Sequence, residues 1–521
     1  GAGIGGLMLT AALAHFDRDT QNLDVRVYEA APALAEIGAG INLWLRSWEI
    51  IKKLNLEGLF VKMMQEAPTE KSRLVFQLRK SDQDQGVHMS DLWMKGGTMR
   101  FHRAELQMSL MSLVGSQVQL NRRLSSYTEY QNHVELLFAD GSLVNCDVLV
   151  AADGIRSATR KQYLSSVRRE LKAKEEMKRP EQEGEDTDPV WSGTLAYRGL
   201  LAHEKIEREF PGHRGMTRPV IHLVVYPLSN GRFTNVVAFT TDPKSEGMAW
   251  PKDKPATGSA TQEELREEYK GWEPEVQALI NCIESPSKWA INNLNPIESF
   301  ASHRVFLAGD SAHAMTPHQG AGAGQAIEDA YILASLLTQP GVTRDSIPAI
   351  AEVYSNVRCP AANAVLLASR DQGKWCELDH PHPLLQGTKE GEVVGNAVLD
   401  DVFADISEAW EWVWRGSAET DRERAVEMLR NVDAGGVGAA VGGGWGLGAG
   451  TALLGRARAA SYGSADASMA ANKVKARMDL DAGMGTRGAG DKSERVVMGA
   501  MGEMAAMVSE GEGAREGCVV M

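Results

Sequence analysis

Three glycines at the start of the chain have a spacing that suits contact with a phosphate group. The run GAGIGGL places Gly1, Gly3 and Gly6 in the pattern G-x-G-x-x-G, whose missing side chains permit a tight turn and close approach of a pyrophosphate. A strand predicted at residues 23–28 ends at Glu29, near the roughly 20-residue spacing at which a carboxylate binds a ribose hydroxyl. The pattern indicates a dinucleotide site, and a glycine-rich turn without a ligand is the alternative.

A second polar cluster follows a predicted strand in the run DVLVAADGIRSATR. The apolar strand ends at Asp153 and Gly154, and Arg156, Ser157 and Arg160 come next. Ligands of doubly wound sheets bind at the carboxyl ends of the strands, so we assign Asp153 to the same nucleotide site. A plain strand-to-loop turn is the alternative.

The third motif is the most specific of the three and reads RVFLAGDSAHAMTPHQGAGAGQAIEDAYILASLL. It combines a strand, the pair Gly309-Asp310 and a glycine-rich entry into a helix predicted at Gly322–Leu337. The N-terminus of such a helix presents unpaired N–H groups and a positive dipole end to an anion or an electron-rich ring edge. His313 in the same run is interpreted as structural.

These three motifs, in this order, resemble those of the class A flavoprotein monooxygenases, and within them the fungal salicylate hydroxylase-like enzymes. The resemblance runs from Gly1 to about Trp414 and implies one noncovalently bound FAD, with the first motif and Glu29 holding its ADP half. It also implies that Asp310 lies near the ribityl chain. The other implied cofactor contacts are Arg103 in FHRAEL, the backbone N–H groups of Gly322 and Ala323 at the isoalloxazine, and Ala39 and Gly40 in EIGAGI.

Two features qualify the resemblance. The family usually carries a proline and an asparagine after the EIGAGI loop, whereas this chain reads NLWLRSW, so the pocket wall near Arg46 departs from the family pattern. The chain has one dinucleotide fingerprint, which agrees with a family in which NAD(P)H binds transiently, reduces the flavin and leaves. The sequence does not separate NADH from NADPH.

The implied reaction is hydroxylation of a small phenolic or aromatic acid, such as salicylate, with NAD(P)H and O₂ through a flavin C4a-hydroperoxide. A phenol becomes reactive when its hydroxyl loses a proton, so a base or proton relay and a cation for the carboxylate are needed. The candidates at family-like positions are Arg198 in AYRGL, His222 and Tyr226 in HLVVYP, and Gln319 in PHQGAG. His222 and Tyr226 are four apart on a predicted strand and so face the same side. The alternative is that they are ordinary half-buried sheet residues and Arg198 a surface ion-pair partner.

The elements that must position these residues alternate in type along the chain. The pattern predicts an α/β fold with an inserted antiparallel β-sheet. The resemblance implies that this is a Rossmann-like FAD-binding domain of the hydroxybenzoate hydroxylase type, with a substrate domain in the insertion and C-terminal helices. Because the chain begins inside a motif, we expect the central strand of the first sheet to be missing. The predicted regions are 1–165 for the first part of the FAD-binding domain, 166–189 for a charged insertion, 190–297 for the substrate domain, 298–415 for the second part of the FAD-binding domain with C-terminal helices, and 416–521 for a low-complexity, disordered tail.

Composition limits the partners that the chain can have. A formal net charge of -14 argues against a nucleic-acid partner and favours a small-molecule ligand, here a small aromatic substrate. The five cysteines are scattered, which favours a reduced, cytoplasmic compartment. His380 and His382 have no complementary pair at metal-ligand spacing, so no metal is predicted.

The sequence was also considered for targeting, assembly and membrane attachment. A targeting signal before Gly1 is not visible, and the oligomeric state is not predicted. The C-terminal run CVVM fits a prenylation pattern at Cys518, but the residues before it are not polybasic, so membrane anchoring is the less favoured alternative.

Two other functions are compatible with these motifs. One is a binding or escort protein that keeps the flavin fold without oxygenase activity, against which stand Glu29, Arg103, Asp153 and Asp310 together. The other is a different flavin chemistry on the same scaffold, such as epoxidation or halogenation. The match of the third motif and the AYRGL and HLVVYP segments favour the aromatic acid.

Overall fold

A computed structural model of the chain describes residues 1–34, 40–64, 67–173, 187–211, 220–221, 223–228, 232–251, 253–380, 385, 392–433 and 518–520. The helices are α1 (Ile4–Phe16), α2 (Leu45–Lys53), α3 (Glu57–Val61), α4 (Arg103–Val114), α5 (Ala158–Ala173), α6 (His203–Glu209), α7 (Gln262–Glu268), α8 (Pro274–Cys282), α9 (Asp310–His313), α10 (Gly322–Leu337), α11 (Ile347–Cys376), α12 (Asn396–Ala409) and α13 (Ala418–Asp433). The strands are β1 (Asp24–Tyr28), β2 (Gly40–Leu43), β3 (Ser72–Lys80), β4 (Val87–Lys95), β5 (Met99–His102), β6 (Val118–Gln119), β7 (Leu124–Glu129), β8 (Val134–Phe138), β9 (Leu143–Cys146), β10 (Val148–Ala151), β11 (Val190–Ala202), β12 (Val220–Ile221), β13 (Leu223–Leu228), β14 (Phe233–Thr241), β15 (Thr257–Ser259), β16 (Ser287–Asn293), β17 (Ala301–Ser302), β18 (Val305–Leu307) and β19 (Cys518–Val520).

The nucleotide motifs belong to a six-stranded sheet with the order β17-β18-β10-β19-β1-β6. Its neighbouring strands are parallel except β17, which pairs antiparallel with β18. β10 and β18 are buried at every residue, as expected for parallel strands that are covered on both faces. This sheet confirms the predicted Rossmann-like α/β class.

Helices α1 and α10 pack closely against each other in the core of this region. A Cβ atom on Gly5 of α1 would lie 3.2 Å from the Cβ of Ala326 of α10, so small residues set the distance between the two helices. Ala326 also lies 3.3 Å from the Cβ position of Gly309. The first and third motifs are thereby held side by side, although they are about 300 residues apart.

The central position of the sheet is filled, contrary to the expectation from the sequence. β19 lies between β1 and β10 and pairs in parallel with both: Val519 is opposite Val25 on one side and Val148 on the other. The expectation failed because it considered only the segment next to Gly1, whereas any segment with suitable backbone can complete a sheet. Cys518 of the prenylation pattern belongs to this strand.

The prediction that residues 416–521 are disordered was wrong for its first part, which forms helix α13 (Ala418–Asp433). α13 buries Ala418, Ala425, Val426 and Leu429 against the core that contains α10 and α11. An amphipathic helix of this kind gains stability from burial, which outweighs the charged composition of its exposed face. Residues 434–517 lie outside the described residues, as do residues 174–186 of the predicted charged insertion, whose first part continues helix α5.

A second sheet has eight strands in the order β15-β16-β11-β14-β13-β12-β3-β4. Its strands β11 to β16 come from the predicted substrate region and are antiparallel. β3 and β4 come from the region assigned to the FAD-binding domain and join through a parallel pairing of β3 with β12. The assignment of residues 72–95 to the FAD-binding domain was wrong. The sequence could not show this, because pairing between strands that are distant in the chain leaves no local signal.

The two faces of this second sheet have different neighbours. Tyr197, Leu223, Val225 and Val236 pack against α7 and α8 in a separate hydrophobic core. Because side chains alternate along a strand, Arg198, Val224, Tyr226, Val237 and Phe239 point to the opposite face. Among the residues that the structure describes, no helix is both long and apolar enough to cross a membrane.

Candidate active site

The first glycine motif is tightly packed on one side and open on the other. A Cβ on Gly1 would lie 2.4 Å from the carbonyl oxygen of Ala152, and one on Gly6 would lie 2.0 Å from that of Gly1. A Cβ on Gly3 would meet no atom within 4 Å. Gly1 and Gly6 are therefore needed for the close backbone packing of the turn. The backbone at Gly3, the N-cap of α1, faces space that a phosphate can enter.

Glu29 lies directly behind this loop. One oxygen accepts a hydrogen bond of 2.7 Å from the N–H of Ala2, and the other accepts one of 2.8 Å from the N–H of Ala31. The carboxylate thus fixes the glycine turn relative to the end of β1. Its position is that of the acidic residue predicted to contact a ribose.

Asp153 and Arg160 connect the second motif to the third. The Asp153 carboxylate accepts hydrogen bonds from the N–H and hydroxyl of Thr159, in the first turn of α5. Arg160 is fully buried and donates to the carbonyl oxygens of Ser311 and Ala312, at 3.2 and 2.9 Å. Within the described residues, Asp153 therefore has a helix-capping role, and Arg160 holds the third motif in place.

Gly309 and Asp310 form the sharp turn that leads from β18 into α9. Gly309 has a φ of 60° and a ψ of -140°, a conformation that favours glycine. Its N–H donates to the carboxylate of Asp329 at 2.8 Å. Asp310 is exposed at the start of α9, where its carboxylate can reach a ligand.

A buried network of charges supports this turn from below. The Asp329 carboxylate accepts hydrogen bonds from His313 at 2.6 Å and from Arg358 at 2.7 Å, and all three side chains are fully buried. Arg358 also pairs with Glu328, which in turn pairs with Arg46 of α2. Burial acts to raise the pKa of Asp329, but His313 and Arg358 outweigh it and lower that pKa to about 2. The full burial of His313 and its bond to Asp329 agree with the structural role expected from the sequence.

The loop before α10 presents backbone to open space. Gly320 has a left-handed conformation with a φ of 54°, and α10 begins two residues later at Gly322. A Cβ on Gly322 would meet only the side chain of Met315, at 3.9 Å. The N–H groups of Gly322 and Ala323 are therefore at a helix N-terminus with room for a ring edge.

The EIGAGI segment reaches the second sheet through Gly40. A Cβ on Gly40 would lie 2.1 Å from the hydroxyl oxygen of Tyr226, so only glycine permits this contact. Ala39 lies outside the described residues. Arg103 is exposed at the start of α4, directly after β5, the strand that pairs with β2.

A cavity lies between the loop before α10, the β2–β5 ribbon and the second sheet. Most of its surface is apolar, and His318, Asn42 and Gln319 supply polar groups; its other lining residues are Trp44, Phe76, Val224, Phe239, Pro317, Gly320, Cys376 and Trp410. The His318 ring contacts Phe239 at 5.2 Å between ring centroids. Burial lowers the pKa of His318 to about 4, so its imidazole is neutral at pH 7.

His318 is the functional candidate that the sequence reasoning missed. It stands beside Gln319 in PHQGAG, within the third motif, and a histidine at the entry to a ligand-binding helix was the available signal. Gln319 has a different position: its amide nitrogen donates to the carbonyl oxygen of Ala409, and its amide oxygen accepts from Trp412. These bonds make Gln319 a link to the C-terminal tryptophans and argue against a role in proton transfer.

Of the remaining catalytic candidates, the structure describes Tyr226 and Arg198 but not His222. Tyr226 and Arg198 both lie on the cavity-facing side of the second sheet. Burial raises the pKa of the Tyr226 hydroxyl to about 12, so that it stays protonated. His222 lies outside the described residues, and its predicted place beside Tyr226 stays a prediction.

Comparison with known proteins agrees with this arrangement. Residues 1–369 match the family described as FAD binding domain. A salicylate hydroxylase from Pseudomonas putida is 30% identical over 434 residues, which cover 81% of this chain and 92% of that protein. The 6-methylsalicylate 1-monooxygenase atA from Aspergillus terreus is 31% identical over 399 residues, covering 71% of this chain and 80% of that protein. A solved salicylate hydroxylase substrate complex has a TM-score of 0.68 and 28% identity, and covers 82% of this chain and 96% of its own.

Proposed function

We propose that this chain, which belongs to the FAD binding domain family and is a flavin-dependent monooxygenase, hydroxylates a small phenolic acid of the salicylate type with NAD(P)H and O₂. The observation that carries the proposal is the cavity beside the loop before α10. It combines apolar walls for an aromatic ring with a neutral, half-buried imidazole at His318. The named activities of the relatives from Pseudomonas putida and Aspergillus terreus support the same substrate class.

The residues present fit FAD at both ends of the molecule. The open backbone at Gly3 suits a pyrophosphate, and the N–H groups at Gly322 and Ala323 suit the edge of the flavin ring. Asp310 would contact the chain between these two groups. When bound, the flavin supplies the redox chemistry by which O₂ is activated for transfer to an aromatic ring.

The chain's own residues position the substrate and polarise its hydroxyl. The lowered pKa of His318 keeps its imidazole neutral, so a ring nitrogen would accept a hydrogen bond from the phenol hydroxyl and make the ring more electron-rich. Tyr226, protonated at neutral pH, would donate a hydrogen bond to the substrate. Trp44, Phe76, Phe239 and Trp410 would exclude water from the ring.

A direct test measures NAD(P)H oxidation by the purified FAD-bound protein with simple phenolic acids. We expect salicylate or a close analogue to stimulate oxidation, with a hydroxylated product detected by mass spectrometry. His318→Ala should slow hydroxylation more than flavin reduction, whereas Asp310→Ala should lower the flavin content instead. Stimulated oxidation by isoprenoids or halide incorporation, without turnover of any phenolic acid, would overturn the proposal.

A further inference from the structure

Two buried polar atoms in the wall of the cavity have no hydrogen-bond partner among the described residues. One is the indole nitrogen Nε1 of Trp410, a side chain that is fully buried. The other is the side-chain oxygen Oδ1 of Asn42. Both residues line the cavity, although Asn42 belongs to β2 and Trp410 directly follows α12. The first atom is a hydrogen-bond donor and the second an acceptor.

The neighbouring tryptophans of this wall show that Trp410 is a local exception. The indole nitrogen of Trp44 donates to the backbone oxygen of Gln319 at 3.0 Å, and that of Trp412 donates to the side-chain oxygen of the same residue at 3.1 Å. Trp410 packs edge to face against Trp44, with 5.1 Å between ring centroids, yet its own indole nitrogen has no such bond. Within the described ranges, no other tryptophan has a buried indole nitrogen that lacks a partner.

Asn42 lies close to the same tryptophans. A Cβ atom on Gly320, in the loop before α10, would lie 3.5 Å from the Cβ of Asn42 and 3.6 Å from the Cζ2 atom of Trp44. Trp44 in turn contacts Trp410. Gly320 and Trp44 therefore connect the unpaired acceptor and the unpaired donor within one part of the cavity wall.

A buried donor or acceptor without a partner costs free energy, because it has given up its hydrogen bonds to water. A ligand in the cavity can supply both bonds if it brings an acceptor for Trp410 and a donor for Asn42. A hydroxyl group has both properties. Under the proposed function, however, the hydroxyl that becomes activated donates its single hydrogen to His318. The acceptor at Asn42 therefore requires a second donor on the ring.

The carboxylate of an aromatic acid cannot be this donor. It is ionised at neutral pH, so it accepts hydrogen bonds and donates none. An acid with one hydroxyl would leave the oxygen of Asn42 unpaired, whereas an acid with two hydroxyls can pair it. The edge of the flavin ring also carries an N–H donor between carbonyl acceptors and has the same complementarity. The experiment therefore measures FAD binding separately.

We propose that Trp410 and Asn42 bind a second hydroxyl group of the aromatic substrate, so that the enzyme prefers dihydroxybenzoic acids to acids with a single hydroxyl. This inference rests on the proposed function, since it assumes that a phenolic acid occupies the cavity with its reactive hydroxyl at His318. Trp410 and Asn42 are then specificity residues. They select the ring that binds and take no part in oxygen transfer.

The test is equilibrium binding to the FAD-bound protein, followed by the change in flavin absorbance. Salicylate is compared with the dihydroxybenzoates that add a second hydroxyl at each free position of its ring in turn. We expect at least one of them to bind roughly tenfold more tightly than salicylate, the gain from two modest hydrogen bonds.

Two variants remove one partner each. Trp410→Phe keeps an aromatic ring but removes the N–H group, and Asn42→Leu removes the amide while keeping a similar volume. Each should reduce the preference, the ratio of the salicylate Kd to the dihydroxybenzoate Kd, by about threefold. The Kd of FAD, measured by flavin fluorescence, should be the same in both variants as in the parent. If Asn42→Leu does not fold, Trp410→Phe decides the matter alone.

Trp412→Phe is the matched control. It makes the same chemical change two residues away, but it breaks the bond to Gln319 and leaves that amide oxygen without its donor. It should therefore lower the urea midpoint and leave the ratio of dissociation constants unchanged. Trp410→Phe breaks no hydrogen bond within the described residues, so without substrate its urea midpoint should fall less than that of Trp412→Phe.

Several results would overturn the assignment. A parent that prefers no dihydroxybenzoate to salicylate would refute the second hydroxyl site. An unchanged ratio in Trp410→Phe would remove this residue from the site, and weaker FAD binding with an unchanged ratio would assign it to the cofactor. Because binding is measured without turnover, a parent that shows the preference but hydroxylates no phenolic acid refutes the proposed function and leaves the site in place. An active hydroxylase without the preference refutes only the site.

Discussion

Arg358 provides the sharpest test of how the buried charge network supports the third motif. Its side chain is fully buried and donates to Asp329 at 2.7 Å, to Glu328 at 3.0 Å and to the Gln325 amide oxygen at 2.7 Å. Arg358→Met fills most of the same volume but leaves two buried carboxylates with one cationic partner fewer each. Removing one member of a buried ion pair costs about 3–5 kcal/mol, since the other charge stays desolvated.

Arg344 is the matched control for this substitution. It donates to Asp147 at 2.6 Å, nearly the same distance as in the Arg358–Asp329 pair, but its side chain is 59% exposed. Water and salt screen such a pair, so Arg344→Met should lose only about 0–1 kcal/mol. The two variants therefore compare similar hydrogen-bond geometry at opposite extremes of burial.

The assay is urea unfolding followed by circular dichroism and by the release of flavin fluorescence. We expect Arg358→Met to unfold at a lower urea concentration than Arg344→Met, with a difference of about 3 kcal/mol in the free energy of unfolding. Because Asp329 also holds the N–H of Gly309, Arg358→Met should bind FAD more weakly. Equal stability of the two variants, or full retention of FAD by Arg358→Met, would refute the reasoning.

Three further predictions concern other parts of the molecule. Deletion of residues 518–521, or Val519→Pro, should lower the flavin content after gel filtration, because β1 and β10 lose the backbone hydrogen-bond partners between them. The control Val519→Ile should keep the flavin content of the parent. Burial raises the pKa of Glu377 to about 7, so protonation of this carboxyl stabilises the fold fully below pH 4.5, and the stabilisation is lost as the pH rises through 7. The urea midpoint of the parent should therefore fall between pH 5 and 8. Glu377→Gln should remove this fall, and a fall that persists in the variant would contradict the prediction. His318→Ala should lower the ratio of hydroxylated product to NAD(P)H consumed, because flavin reduction continues while the phenol is not activated, and an unchanged ratio would remove His318 from the mechanism.

The nucleotide end of the molecule could be predicted from the sequence because its signals are local. The glycine motif, β10 and the helix at Gly322–Leu337 each lie within a short segment with a clear pattern, and the helix has the bounds that the pattern predicts. Asp329 had a signal that was not used. Two acidic residues, Glu328 and Asp329, lie in the middle of a helix that is otherwise uncharged and mostly apolar, which indicates buried charges with partners elsewhere.

The substrate end was less predictable because it depends on contacts between distant segments. The parallel pairing of β3 with β12 joins residues about 140 positions apart and has no counterpart in local periodicity. The same is true of β19, whose three residues complete a sheet that begins at the other end of the chain.

The departure from the family pattern in NLWLRSW has a structural explanation that connects these two ends. Trp44, in the place of that departure, packs edge to face with Trp410 at 5.1 Å and donates from its indole nitrogen to the carbonyl oxygen of Gln319 at 3.0 Å. Gln319 in turn holds Trp412 through its amide oxygen. The segment after EIGAGI, the loop before α10 and the C-terminal tryptophans therefore form one wall of the cavity. Because that wall is built from three segments that contact one another, a change in one of them alters the space for the ring while leaving Gly3, Glu29 and Asp310, the predicted FAD contacts, untouched.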